Sequence, residues 1–227
     1  MELNLVDKFI LLALDDDKGT FAREPFALTY GLAGVILLEL SLREYIHVID
    51  KKVVLRSHKR IGDPFLDTYL ERLTKSKKNR SLSYWIQTFG NKERSIKKEI
   101  LDKLIRKGIL SKREEKFLWV FNNDKFPTVN SKPENALRKR LFEILEQYGT
   151  PEVDELMLIS LIDTCKLNSF VYGKERAKEN KDRIKSVLKE AERSSLINDT
   201  LKEVQKTILA MIVVLITTTT AATTSGS

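Results

Sequence analysis

Residues 31–43, GLAGVILLELSLR, decide the fold class. Extended back to Ala27, the run is apolar on nearly every side, the pattern of a helix surrounded by other helices and not laid on a surface. Gly31 and Gly34 stand three residues apart on one face, where absent side chains let a neighbouring helix come close. No phosphate-loop pattern follows them, so the pair is structural and not a nucleotide cradle. A central helix of this kind needs apolar partners, and the sequence supplies them on both sides.

Upstream, residues 5–14 form a first helix, with Asn4 placed to cap it and Asp7 in its first turn, where a negative charge suits the dipole. Residues 15–19, DDDKG, make a turn, since the alternating ligands and distal Glu of a calcium loop are missing. Downstream, residues 45–55 alternate about Asp50-Lys51-Lys52 as a short hairpin, with His47 a strand residue between Tyr45 and Ile49. Asp63 caps a helix opened by Pro64 and running to about residue 74. Residues 75–80, KSKKNR, are an exposed basic loop.

Leu82, Trp85, Ile86 and Phe89 mark the next helix. Ile96, Ile100, Leu101, Leu104 and Ile105 mark an amphipathic one ending at Gly108. Residues 109–129 then outline a winged-helix-like hairpin: strands at 117–121 (FLWVF) and 126–129, and a turn at 122–124. Ser131 and Glu134 have the spacing of a capping box for a helix reaching residue 148. Another begins at 150–151, and the last two span about 174–192 and 199–216. The expected fold class is mainly α: a single compact multi-helix domain, residues 1–216, around a buried helical bundle with small β-hairpins. Residues 217–227 follow as a flexible Thr-rich tail.

Composition agrees. Nine Gly and five Pro in 227 residues are few for a turn-dense sandwich or barrel. A lone cysteine, Cys165, makes no internal disulfide; it sits among apolar helix residues as a small hydrophobe, and with two His it leaves no zinc ligand set. The net charge of +8 is unevenly placed. Residues 1–50 hold four basic and nine acidic side chains, residues 51–116 twenty and eight, and residues 117–227 sixteen and fifteen. So basic a middle third suits an anionic partner: a lipid surface, an acidic protein or nucleic acid.

The N-terminus lacks the basic n-region of a secretory signal. The apolar run at 207–216, TILAMIVVLI, is about half of what a bilayer crossing needs, so it is expected as a core helix. A cytoplasmic protein follows. No nucleophile elbow, Walker sequence or zinc-protease motif is present, so the chain is expected to be no enzyme, with no catalytic residues, no metal and no cofactor. Arg94 and Lys97 share one face near the N-terminal end of their helix, where dipole and cations together suit an anion; Arg supplies a bidentate fork and Lys a point charge.

The order of these segments resembles the Golgi phosphoprotein 3 family, in its minimal, prokaryotic-type form without a basic N-terminal arm. The likeness rests on FILLAL at 9–14 before a charged turn and Gly19, on GLAGVILLELSLR at 31–43, and on LIRKGIL at 104–110 with the hairpin from Phe117 to Pro127. It covers about residues 3–216. The resemblance implies a peripheral membrane protein binding anionic phospholipid head groups, phosphatidylinositol 4-phosphate in eukaryotic members, and acting as an adaptor that retains membrane proteins through their cytoplasmic tails.

Two basic positions of the family's lipid pocket match Arg94 and Lys97. A third, an arginine in the family, is Ala33 here. The pocket tryptophan falls on Glu24, beside which Arg23 supplies a compensating cation. Phe121 and Phe126 of the hairpin are expected to touch the membrane, and the hairpin could also pair two copies of the chain. The alternatives are a protein-tail adaptor without lipid specificity and a winged-helix DNA-binding regulator. The second is disfavoured, because a recognition helix over 95–107 would have only a narrow polar face.

Overall fold

The computed structural model describes residues 3–15, 18–22, 25–117, 121–146, 149–193 and 199–224. Eleven helices and two antiparallel hairpins appear among them: α1 (Leu5–Leu12), α2 (Pro25–Leu42), β1 (Ile46–Ile49), β2 (Lys52–Leu55), α3 (Pro64–Thr74), α4 (Leu82–Gly90) and α5 (Glu93–Arg106). Then come β3 (Arg113–Phe117), β4 (Phe121–Lys125), α6 (Lys132–Leu145), α7 (Val153–Thr164), α8 (Asn168–Tyr172), α9 (Lys174–Glu179), α10 (Lys181–Arg193) and α11 (Asp199–Thr224).

Helix α2 is the axis of the core. Leu32, Ala33, Val35, Ile36, Leu37, Leu38 and Leu40 are all fully buried on it, which leaves no face for water. Each large apolar side chain so withdrawn contributes roughly 2 kcal/mol. The two glycines set how closely the neighbours come. A Cβ on Gly31 would lie 2.6 Å from Cys165 Sγ and 2.9 Å from Phe9 Cζ, and one on Gly34 would lie 2.7 Å from Ile208 Cδ1. Together they admit α1, the end of α7, and α11 against one helix.

Local signals explain several helix starts. The Asn4 side chain accepts from the Asp7 amide at 2.8 Å, and the buried Glu39 carboxylate of α2 accepts from the Leu5 amide at 2.8 Å, so α1 is capped from its own chain and from across the core. Asp63 accepts from the Phe65 and Leu66 amides and Pro64 opens α3, as its sequence predicts. In the first hairpin Ile49 pairs with Lys52, leaving a two-residue turn at Asp50 and Lys51 with φ of 49° and 60°. That is the primed turn whose twist suits a hairpin, formed here without the usual glycine at a cost of about 1 kcal/mol per residue. Residues 80–82 run along β2, through Val53 N–H to Arg80 O at 3.0 Å and Leu82 N–H to Lys51 O at 2.8 Å.

Four expectations are corrected. The second hairpin pairs Arg113 with Lys125 and Phe117 with Phe121, so its strands are 113–117 and 121–125 and its connection falls on 118–120, outside the described residues. The apolar FLWVF run that looked like a strand therefore spans a strand end, the connection and a strand start. Ser131 does not cap α6: its backbone is helical (φ −78°, ψ −8°), with no cap hydrogen bond, and Glu134 is buried against Arg138. The capping box is at Glu152 and Glu155 on α7. The helix expected over 174–192 breaks at Asn180, whose side-chain amide turns back to the Arg176 carbonyl at 3.1 Å. Finally, α11 continues beyond Ile216, to Thr224.

Candidate anion-binding site

The first turn of α5 carries Glu93, Arg94 and Lys97, and tertiary packing decides what each can do. Lys97 lies one turn after Glu93 and forms an ion pair with it. Its Nζ also sits 4.5 Å from the centre of the Phe21 ring. The other Glu93 oxygen accepts a hydrogen bond from the Thr29 hydroxyl on α2. Gly90, at the end of α4, makes room for this meeting, since a Cβ there would lie 3.2 Å from Thr29 Cγ2. The loop before α2, the first turns of α2 and the start of α5 thus converge on one ion pair.

Arg94 is exposed and has no carboxylate partner among the described residues; the same holds for Lys92 and Lys98 beside it. The arrangement therefore offers a free guanidinium fork, two further free ammonium groups and one cation, Lys97, that a ligand must share with Glu93. Such a fork and flanking point charges suit the oxygens of a phosphate. Sequence reasoning found Arg94 and Lys97 by their spacing but missed Glu93, Thr29 and Phe21. The Glu93–Lys97 spacing of four was a usable signal for the pair; the other two contacts are tertiary.

Arg23 and Glu24 lie outside the described residues. Ala33 is fully buried one turn beyond Thr29, so its methyl group belongs to the wall of the core and brings no charge to the site. Phe126 is half-buried, packed against the core, and its amide donates to Gly19 O at 3.0 Å. Phe121 begins β4, next to the connection at 118–120. The apolar side chains of α5, Ile96, Ile100, Leu101 and Leu104, are spent in the core.

A cleft of about 1360 Å³ lies around the other half of α5. There Asp7, 1% exposed, faces Lys103 at 3.1 Å and Lys107 at 3.0 Å, and Lys103 also reaches Asp63 at 2.8 Å. Lys8 pairs with Asp154 at 2.6 Å. Burial would raise the Asp63 carboxyl, but the Lys103 ammonium and the Phe65 and Leu66 amides outweigh it and hold it below its ordinary value. These charges neutralise one another and tie α1, α3, α5 and α7 together. Burial pushes the Cys165 thiol up to about 12, which removes it as a nucleophile at neutral pH. No group of three His, Cys, Asp or Glu side chains is placed for a metal among the described residues.

The sequence profile described as Golgi phosphoprotein 3 (GPP34) matches residues 5–208. A curated relative, vacuolar protein sorting-associated protein 74 of Schizosaccharomyces pombe, is 24% identical over 197 residues, covering 75% of this chain and 58% of its own. The chain thus spans less than two thirds of the length of that relative. No described helix is long and apolar enough to cross a membrane.

Proposed function

The chain belongs to the Golgi phosphoprotein 3 family, and we propose that it is a peripheral membrane adaptor without catalytic activity that binds anionic phospholipid through the start of α5. The observation that carries the lipid reading is Arg94: an exposed guanidinium, unpaired among the described residues, one turn from a second cation on the same helix face. A lipid phosphate would take the Arg94 fork and draw Lys97 away from Glu93, with the amides of the first α5 turn adding their dipole. Arg23 would join from the loop before α2. The second hairpin would meet the interface near its 118–120 connection, with Phe121 closer to that end than Phe126. Phosphatidylinositol 4-phosphate is the head group proposed first; with Ala33 and Glu24 at family pocket positions, plain negative charge is expected to supply much of the attraction. The name of the yeast relative refers to vacuolar protein sorting, and cytoplasmic tails of membrane proteins are the partners proposed here.

Co-sedimentation with neutral vesicles, phosphatidylserine vesicles and phosphatidylinositol 4-phosphate vesicles of matched charge tests this. Wild-type protein is expected on both anionic sets and not on neutral lipid, with a preference for the phosphoinositide. Arg94→Glu with Lys97→Glu should abolish the preference for the phosphoinositide and weaken binding to both anionic sets. Unchanged binding of that double variant would sink the site assignment.

A further inference from the structure

A second group of cations without a carboxylate partner among the described residues lies away from Arg94, at the corner where the first hairpin meets the loop before α4. Lys51 and Lys52 occupy the hairpin turn and the start of β2, both exposed. Lys77 and Lys78 are exposed on the adjoining loop, and Arg80 is half-exposed at its end. None of the five has a carboxylate partner among the described residues, whereas Lys75, nearby, is paired with Glu71 at 2.6 Å. The corner is rigidly assembled: the amides of Val53 and Leu82 bond to the carbonyls of Arg80 and Lys51, and Lys52 bridges to Ser81, so the loop is stitched onto the hairpin edge.

Two large apolar side chains are exposed at the same corner. Ile49, before the turn, is 55% exposed, and Tyr84, on the first turn of α4, is 42% exposed. The Arg80 guanidinium lies 4.9 Å from the centre of the Tyr84 ring, which holds both at the surface. Along α4 the exposed Tyr84, Gln87 and Asn91 form one row, at spacings of three and four, that leads to the start of α5. A helix of nine residues is about 13 Å long, so about that length of α4 separates the corner from the start of α5.

We propose that this corner is a second membrane contact that recognises anionic bilayer by charge alone: Lys51, Lys52, Lys77, Lys78 and Arg80 face the lipid phosphates while Ile49 and Tyr84 enter the interface. A bilayer suits it better than nucleic acid, because an exposed aliphatic side chain at the end of β1, beside the turn, has a place among acyl chains and none against a phosphate backbone. Asp50, exposed in the same turn, is the one carboxylate beside these five cations among the described residues; each charge brought to an anionic surface gains about fivefold in binding, without any head-group pocket. The inference rests on the membrane reading above but not on the Arg94 site within it.

The test compares the full chain with two variants, Lys51→Gln/Lys77→Gln/Lys78→Gln and Ile49→Ser, on vesicles of phosphatidylcholine with about one third phosphatidylserine and no phosphoinositide. The triple variant is expected to lose roughly a hundredfold in partitioning and much of the salt dependence. Ile49→Ser should lose several-fold with its salt dependence kept. Arg94→Gln/Lys97→Gln, run beside them, should retain more than the triple variant on these vesicles and lose its preference for phosphatidylinositol 4-phosphate. Loss in the triple variant with no effect of Arg94→Gln/Lys97→Gln on either lipid would support the corner and overturn the site. A triple variant that partitions like wild type, or a wild-type chain that binds duplex DNA in preference to these vesicles, would overturn the corner.

Discussion

The two halves of α5 carry the same kinds of side chain to opposite ends. Lys103, in its last turn, and Lys107, its C-cap, are mostly buried and bound to Asp7 and Asp63, while Arg106 between them faces solvent. Arg94, in its first turn, stands in solvent with no carboxylate partner among the described residues, and Lys97 is shared with Glu93. A count of basic residues along the helix makes no distinction between them. Partners do: a cation whose carboxylate comes from its own core is part of the fold, and one left without is available to something outside it. The cleft of about 1360 Å³ surrounds the end that holds the paired Lys103 and Lys107, so cleft size alone is no guide to where a ligand binds.

The most damaging way to break this contrast is to remove Asp7. Two lysines would lose a carboxylate that is 1% exposed, and breaking a buried pair costs about 3 to 5 kcal/mol. Because both lysines keep some access to water, Asp7→Ala is expected near the low end, about 3 kcal/mol, read as a lower urea midpoint with an unchanged m-value. At temperatures where the variant is folded, its binding to anionic vesicles should match wild type. Lost binding in the folded variant would mean that the two halves are not separable.

Acid attacks the same half more gently. The Asp63 carboxyl is held below its ordinary value in the folded chain, so its contribution is present above that ordinary value, near 4, and is lost as pH falls through the lowered native one. Partial exposure screens the pair to no more than about 1 kcal/mol. Urea midpoints measured from pH 5 down to pH 2.5 should fall more steeply for wild type than for Asp63→Asn. Parallel curves would remove Asp63 from the network.

The satisfied half was legible only where its signals were local. Asn4, Asp63 and Pro64 act within their own turns, and the apolar run through α2 needs no partner to be recognised. Asp7 was placed by its dipole alone, because Lys103 and Lys107 reach it only once α5 packs beside α1. Ser131 and Glu134 had the spacing of a capping box, but the helical backbone at Ser131 cannot present its hydroxyl, and Arg138 draws Glu134 inward. In the second hairpin the apolar residues misled: pairing belongs to the polar stretches on either side, and hydrophobicity marked the connection. At the candidate site, Arg94 and Lys97 were legible by spacing on one helix, while Thr29 and Phe21 arrive from other segments.

At the available end of α5, removing one cation should barely touch the fold. Arg94→Gln is expected within about 0.5 kcal/mol of wild type in stability, as for other exposed positions, and about fivefold weaker on anionic vesicles. A clear loss of stability would show that Arg94 has a structural partner.

The smallest expected effect tests the contrast from the opposite side. If the availability of a cation decides its role, freeing Lys97 should strengthen binding. Glu93→Gln keeps an acceptor for the Thr29 hydroxyl and a similar shape but removes the charge that holds Lys97. One fewer negative charge at the surface is worth at most about fivefold, and salt screening brings this to about threefold in favour of anionic vesicles at physiological ionic strength. The gain should grow at low salt and vanish on neutral lipid. It should also vanish in Glu93→Gln combined with Lys97→Gln, because the released cation is then gone. A gain that persists in that combination would place the effect in the general charge of the surface. Weaker binding in Glu93→Gln alone would mean that the carboxylate positions Lys97 for the ligand, so that a satisfied cation can serve function and the division between the two halves of α5 fails.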